Sequence, residues 1–175
     1  MRFWSMFLNR IRLFKKKKHL YKIKKSKQVI FKIKKIAKSS NGYAKAIMYL
    51  RKIDPYVFEE LILTVVEQNN IKITRNTKYS GDGGLDGKFK LNNQVILIQA
   101  KRYKNYINLQ HVTTFISLVN KKNHLGLFIH TGKTGINTKN IVNGCKNVTI
   151  LSGSKLIDFI IGNTNIKDIQ NFSQK

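Results

Sequence analysis

At 175 residues, 42% hydrophobic and with a net charge of +26, the chain has room for one ordinary domain and an extension, and enough apolar residues for a buried core. A single cysteine, Cys145, excludes an intramolecular disulfide and a multi-cysteine zinc site, and the four histidines (His19, His111, His124, His130) lack metal-ligand spacing. The charge is uneven: residues 1–53 hold 18 of the 34 basic residues and none of the 8 acidic ones, which leaves +8 for the remainder. Such a polycation binds polyanions by releasing their counterions, with nucleic acid the first candidate and an anionic membrane surface the second. A lysine-inflating AT-rich coding sequence is the bland alternative, but it does not account for the missing acids.

The first apolar run, Phe3 to Leu8, is too short to span a bilayer. No small-residue cleavage site follows Ile11–Phe14, so a cytoplasmic protein is expected, although an acid-free basic start also fits a transit peptide. Residues 1–42 form a lysine-rich arm and linker. Like charges favour disorder there, while the interleaved Tyr21, Ile23, Val29, Ile30, Phe31, Ile33 and Ile36 allow a helix on a partner. Residues 43–162 read as the folded domain and 163–175 as a tail. Tyr43–Lys52 is a short helix. Asp54-Pro55 then starts another, with Asp54 as cap and Pro55 in the first turn, and Phe58, Leu61, Ile62 and Val65 on one stripe. Ile71 and Ile73 alternate with polar residues as in a strand. After a glycine-rich turn at 80–84, Leu85–Leu91 and Gln94–Arg102 form a hairpin around Asn92-Asn93. Helices over Asn108–Asn120, Asn137–Cys145 and Lys155–Ile161 alternate with strands at Leu125–His130 and Val148–Leu151, the pattern of an α/β domain.

The hairpin can assemble chemistry. With Asn92 and Asn93 in the turn, Leu91 pairs with Gln94 and Asp86 falls opposite Gln99, with Lys101 diagonal to it on the same face. Leu85, Phe89, Leu91, Ile96, Ile98 and Ala100 then share the other face, and a one-residue slip would scatter that set. A second acid comes from the helix after Asp54. At about 100° per residue, Glu59 lies at the edge of the apolar stripe and Glu60 on the solvent side, which selects Glu59. Carboxylates at Asp86 and Glu59 with the amide oxygen of Gln99 suit Mg²⁺, with Mn²⁺ as a substitute, and Lys101 is placed to orient a water or stabilise developing charge on a phosphodiester. Arg102 and Lys104 are candidates for the DNA phosphate backbone, equally readable as a solvated strand end. Asp82 reads as a turn residue rather than a ligand. Tyr103 reads as packing and His130 as a core histidine. Thr131-Gly132-Lys133-Thr134-Gly135 lacks the spacing of a phosphate loop.

Phe58-Glu59-Glu60-Leu61-Ile62, Ser80-Gly81-Asp82-Gly83-Gly84-Leu85-Asp86-Gly87 and Gln99-Ala100-Lys101-Arg102-Tyr103 resemble the three signatures of Mrr-type restriction endonucleases, of the PD-(D/E)xK nuclease superfamily. Phe128–Gly132 and Leu151–Leu156 resemble later core elements, so the resemblance covers about residues 54–162. It implies a restriction-endonuclease-like α/β core, a central mixed sheet flanked by helices and preceded here by the basic arm. It also implies Mg²⁺-dependent DNA cleavage at Asp86, Gln99 and Lys101 with Glu59. Gln99 departs from the usual Asp or Glu, a variant known in the Mrr-like branch. The expected partner is DNA, a homodimer is allowed, and a membrane surface is not favoured. The competing function is a catalytically inactive nucleic-acid-binding protein that retains the nuclease fold.

Overall fold

In the computed structural model, residues 2–76 and 84–166 are described, with side chains from residue 17 onward. Expectations for Gly81, Asp82 and Gly83 and for most of the tail lie outside these residues. A five-stranded sheet in sequential order is built from β1 (Ile73–Arg75), β2 (Gly87–Leu91), β3 (Gln94–Lys101), β4 (Leu125–His130) and β5 (Val148–Leu151). The first three strands run antiparallel and the last three parallel, which makes the sheet mixed.

The β2–β3 register pairs Leu91 with Gln94 and Gly87 with Ile98, as the apolar pattern requires. Its turn places both Asn92 (φ 47°) and Asn93 (φ 64°) in the left-handed region, a conformation that short polar asparagine tolerates best after glycine. β3 is buried on both faces. Phe89, Leu91, Ile96, Ile98 and Ala100 enter the larger core, while Leu97 enters a second core on the opposite face. Leu85 was expected with the first set and instead lies against the second core. The ladder begins only at Gly87, so strand alternation does not reach back to residue 85.

Four helices cover the larger core: α1 (Arg2–Ala37), α2 (Gly42–Leu50), α3 (Pro55–Gln68) and α6 (Gly153–Ile161). α4 (Leu109–Lys121) and α5 (Ile136–Asn143) lie over the other face. Asp54 caps α3, accepting from the backbone N–H groups of Tyr56 and Val57 at 2.9 and 3.1 Å.

The basic arm is helical, and the partner it folds against is the domain itself. Val29, Ile30 and Ile33 of α1 are buried in the larger core, and α1 packs on α2, α3 and α6. Ser26 Oγ lies 3.1 Å from Thr64 Oγ1 of α3 and donates to the Ile23 carbonyl, so two buried hydroxyls are paired where the helices touch. Among the described side chains the lysines of α1 are exposed, apart from partly buried Lys22, because apolar residues recur on one side of the helix at helical spacing.

This second layer also corrects the reading of Glu60. Rather than facing solvent it is 2% exposed, because α1 covers the side of α3 that a sheet alone would leave open. Its carboxylate meets Arg75 at 2.8 Å and His19 of α1 at 3.2 Å, and Arg75 also reaches Glu67 at 2.8 Å. Burial pushes Glu60 upward, and the His19 and Arg75 charges pull it back.

If α1 is part of the core, Ile33→Ala, at a fully buried site, is expected to cost about 2–5 kcal/mol in urea unfolding. Phe31→Ala, at an exposed site two residues earlier, should stay within about 0.5 kcal/mol.

Candidate active site

The glycine turn returns to the sheet at Gly84, whose φ is +81°. Only glycine suits the position: a Cβ there would also collide with the Nε2 of Gln99. Asp86 follows at the head of β2. Its backbone N–H donates to the Ile98 carbonyl at 3.0 Å, its carbonyl accepts from Asn76, and its Oδ2 accepts from the Ala100 N–H at 2.6 Å. The carboxylate thus takes a ladder donor of β3 where β2 has not yet begun, which fixes Asp86 beside Gln99.

Gln99 is 4% exposed and lies near the carboxyl end of β3, where ligand sites of α/β sheets form. Its Nε2 donates to the Gly84 carbonyl at 2.8 Å. Its Oε1 is buried and has no hydrogen-bond partner among the described residues. A buried amide oxygen without a partner is costly, which makes this atom a candidate ligand. Lys101 Nζ lies 3.9 Å from where a Cβ on Gly84 would sit, on the same side as the Gln99 amide.

Glu59 reaches the group from α3. From Val57 to Val66 every residue is buried except Glu59, which is half-buried. Burial pushes its carboxyl up to about 8, with the Asp86 charge adding to the rise and Lys101 and Lys22 opposing it. Asp86 is raised to about 6, chiefly by burial and against the Ala100 hydrogen bond and Lys101. Asp86, Glu59 and Lys101 are therefore close enough for their charges to act on one another. Gln99 joins them through Gly84.

The remaining candidates lie elsewhere. Arg102 donates to the Arg51 carbonyl at 2.6 Å, and Arg51 Nε donates to the Thr131 carbonyl at 2.8 Å, so this pair ties the end of α2 to the ends of β3 and β4. Lys104 is exposed. Thr131 Oγ1 bonds both the N–H and the carbonyl of Tyr103, which gives that threonine a splicing role rather than a phosphate-loop one. His130 is fully buried beside Lys101 in the parallel pair, and burial lowers it to about 4, so it is neutral. Tyr103 meets His111 through its hydroxyl. Spacing could not have revealed the Gly84–Gln99 bond, because it depends on which way an amide turns.

Among the described residues no group of three or more His, Cys, Asp or Glu is placed to hold a metal ion. The donor set is instead two carboxylates and an amide oxygen. That set fits a hard divalent cation, which takes oxygen ligands and keeps several waters. The partnerless Oε1 of Gln99 is the observation that supports the fit. No helix among the described residues is long and apolar enough to cross a membrane.

The sequence profile of the restriction endonuclease family, in its Mrr catalytic form, matches residues 50–160, more than half of the chain. Among solved structures, the MspJI restriction endonuclease in complex with a 27-mer oligonucleotide is similar at 14% identity and a TM-score of 0.44. That similarity extends over 86% of this chain and 33% of the other, so the chain spans about a third of that protein. No curated protein matches its sequence. With the mixed sheet and the sequence profile both in place, the chain belongs to the Mrr-type restriction endonuclease family.

Proposed function

We propose that the chain is a divalent-metal-dependent endonuclease that hydrolyses DNA phosphodiester bonds at Asp86, Gln99 and Lys101, with Glu59 as the fourth group. The single observation that carries this reading is the buried, unpaired Oε1 of Gln99 beside Asp86 and Lys101. Restriction endonuclease domains generally use divalent metal ions, and Asp86, Gln99 and Glu59 would hold one here, Mg²⁺ by preference with Mn²⁺ in its place. When bound, the ion neutralises phosphate charge and acidifies a water.

The chain's own residues supply the rest. The two carboxyls have different environments and so different protonation near neutrality: Asp86 is mostly ionised and Glu59 mostly protonated. Asp86, pinned by Ala100, carries most of the negative charge near neutrality. Glu59 keeps or yields a proton according to what occupies the site. The Lys101 ammonium faces this group and holds either the attacking water or the charge that develops on the phosphate. The Gly84 carbonyl accepts from the Gln99 Nε2, which leaves the buried Oε1 as the amide atom without a partner among the described residues.

A nuclease fold retained for binding without cleavage is the second reading, favoured by the neutral amide at residue 99, which brings less charge to a cation than a carboxylate would. Plasmid incubated with Mg²⁺ separates the two: cleavage by wild type that falls by about 10²-fold or more in Asp86→Ala and Lys101→Ala supports the enzyme. Equal cleavage by all three would mean contamination and reject it.

Gln99→Glu is expected to destabilise the metal-free protein by about 1–3 kcal/mol, read by urea unfolding at neutral pH, because a carboxylate oxygen replaces the donor to the Gly84 carbonyl. An unchanged midpoint would mean that the amide orientation is irrelevant.

Burial raises both carboxyls, so the folded metal-free protein retains protons that the unfolded chain has lost. The contribution of these two groups to stability is full below about pH 4 and is lost as pH rises through about 6 for Asp86 and about 8 for Glu59. Metal binding needs the deprotonated groups, so Mg²⁺ affinity measured by calorimetry should strengthen from about pH 6 to about pH 8. A flat profile would remove these carboxyls from the ligand set.

A further inference from the structure

A groove of about 510 Å³ runs between α1 and the α2–α3 connection. Its lining includes Lys18, Lys22 and Lys25 of α1 and Lys52 opposite them, with Tyr21 and Tyr49 on its walls. Lys18, Lys22, Lys25 and Lys32 recur at i, i+4, i+7 and i+14, so they occupy one flank of α1 beside its buried face. Over those residues the helix rises about 21 Å, close to the rise of about six nucleotides of one DNA strand. Two of these lysines are held in place: the Lys22 ammonium sits 3.9 Å from the ring centre of Tyr56 and that of Lys32 sits 4.5 Å from the ring centre of Tyr49. The acid within the groove, Asp54, spends its carboxylate on the α3 cap. The groove also reaches α3 at Val57, two residues before Glu59 on the same helix.

We propose that this groove binds the phosphate backbone of a DNA duplex and leads it to the Asp86–Gln99–Lys101 centre, which makes α1 a substrate-binding element of the nuclease rather than a diffuse basic tail. The inference rests on the DNA-cleaving reading above. A concave row of cations beside recessed carboxylates suits a single polyanionic strand. A flat lipid surface would instead call on the apolar face of α1, and Val29, Ile30 and Ile33 of that face are already buried in the protein core.

The test uses the full chain, a fluorescent duplex of about 20 base pairs in chelator, and dissociation constants over about 50–300 mM salt. Lys18→Gln/Lys25→Gln/Lys52→Gln removes three exposed groove charges and spares Lys22, which packs on Tyr56. Lys24→Gln/Lys27→Gln/Lys34→Gln removes the same charge from the side of α1 away from the groove, where all three residues are exposed. Thermal melting checks that both variants stay folded. The groove variant should flatten the slope of log affinity against log salt by about 2–3, at about 0.9 per phosphate contact, and the opposite-side variant by less than about 1. Equal flattening by both variants, or by neither, would overturn the proposal. So would loss of binding to phosphatidylserine vesicles by the groove variant with its DNA slope intact. If plasmid cleavage depends on Asp86 while the groove slope is unchanged, the groove assignment fails alone. If the wild type neither binds nor cuts DNA, the nuclease reading fails and takes the groove with it.

Discussion

The register of the β2–β3 hairpin is the constraint on which the candidate centre depends. Two consecutive asparagines in the left-handed region set the turn, and the turn sets which residues face each other. Side chains alternate across a sheet, so one residue of slip would move Gln99 and Lys101 into the face that now buries Ile98 and Ala100. It would also take Ala100 away from the Asp86 carboxylate, which depends on that backbone donor for its position. Core packing and chemistry are therefore specified by the same register, and neither can be changed without the other.

That coupling is why much of the fold was legible in the sequence. Phe89, Leu91, Ile96, Ile98 and Ala100 alternate, Asp54-Pro55 announces a helix start, and Asn108 precedes a clean stripe of Val112, Phe115, Ile116 and Val119; all are local signals, and all are present in the fold. Illegible features involved partners distant in sequence. Glu60 looked solvent-facing because periodicity places it away from the sheet, and periodicity carries no information about a second layer of helices. Leu85 changed sides because its strand starts later than its alternation suggests. The positions of Asp86, Gln99 and Lys101 could be argued from register alone. The way the Gln99 amide turns, and the use of Arg102 to hold α2, required coordinates.

Charge is distributed to match this architecture. The acid-free helix α1 lies against α3, which carries Glu59, Glu60 and Glu67. Glu60 and Glu67 share Arg75, with His19 beside Glu60, so they are spent on structure. Glu59 has no such close pair in that cluster and faces Asp86 and Lys101 instead. Adjacent residues on one helix thus divide between holding two layers together and contributing a titratable group to the candidate centre.

The seat of α1 on α3 and α6 also bears on how the molecule folds. The hairpin closes through neighbouring residues and needs little chain entropy, whereas α1 and α6 lie far apart in sequence, so their contact must close a much longer loop. Until they meet, Thr64 of α3 and Val29, Ile30 and Ile33 of the lysine-rich helix lack the cover they have in the fold. An intermediate with a formed sheet and an undocked α1 would be sticky and polycationic at once, prone to aggregate or to settle on any nearby polyanion before the core closes.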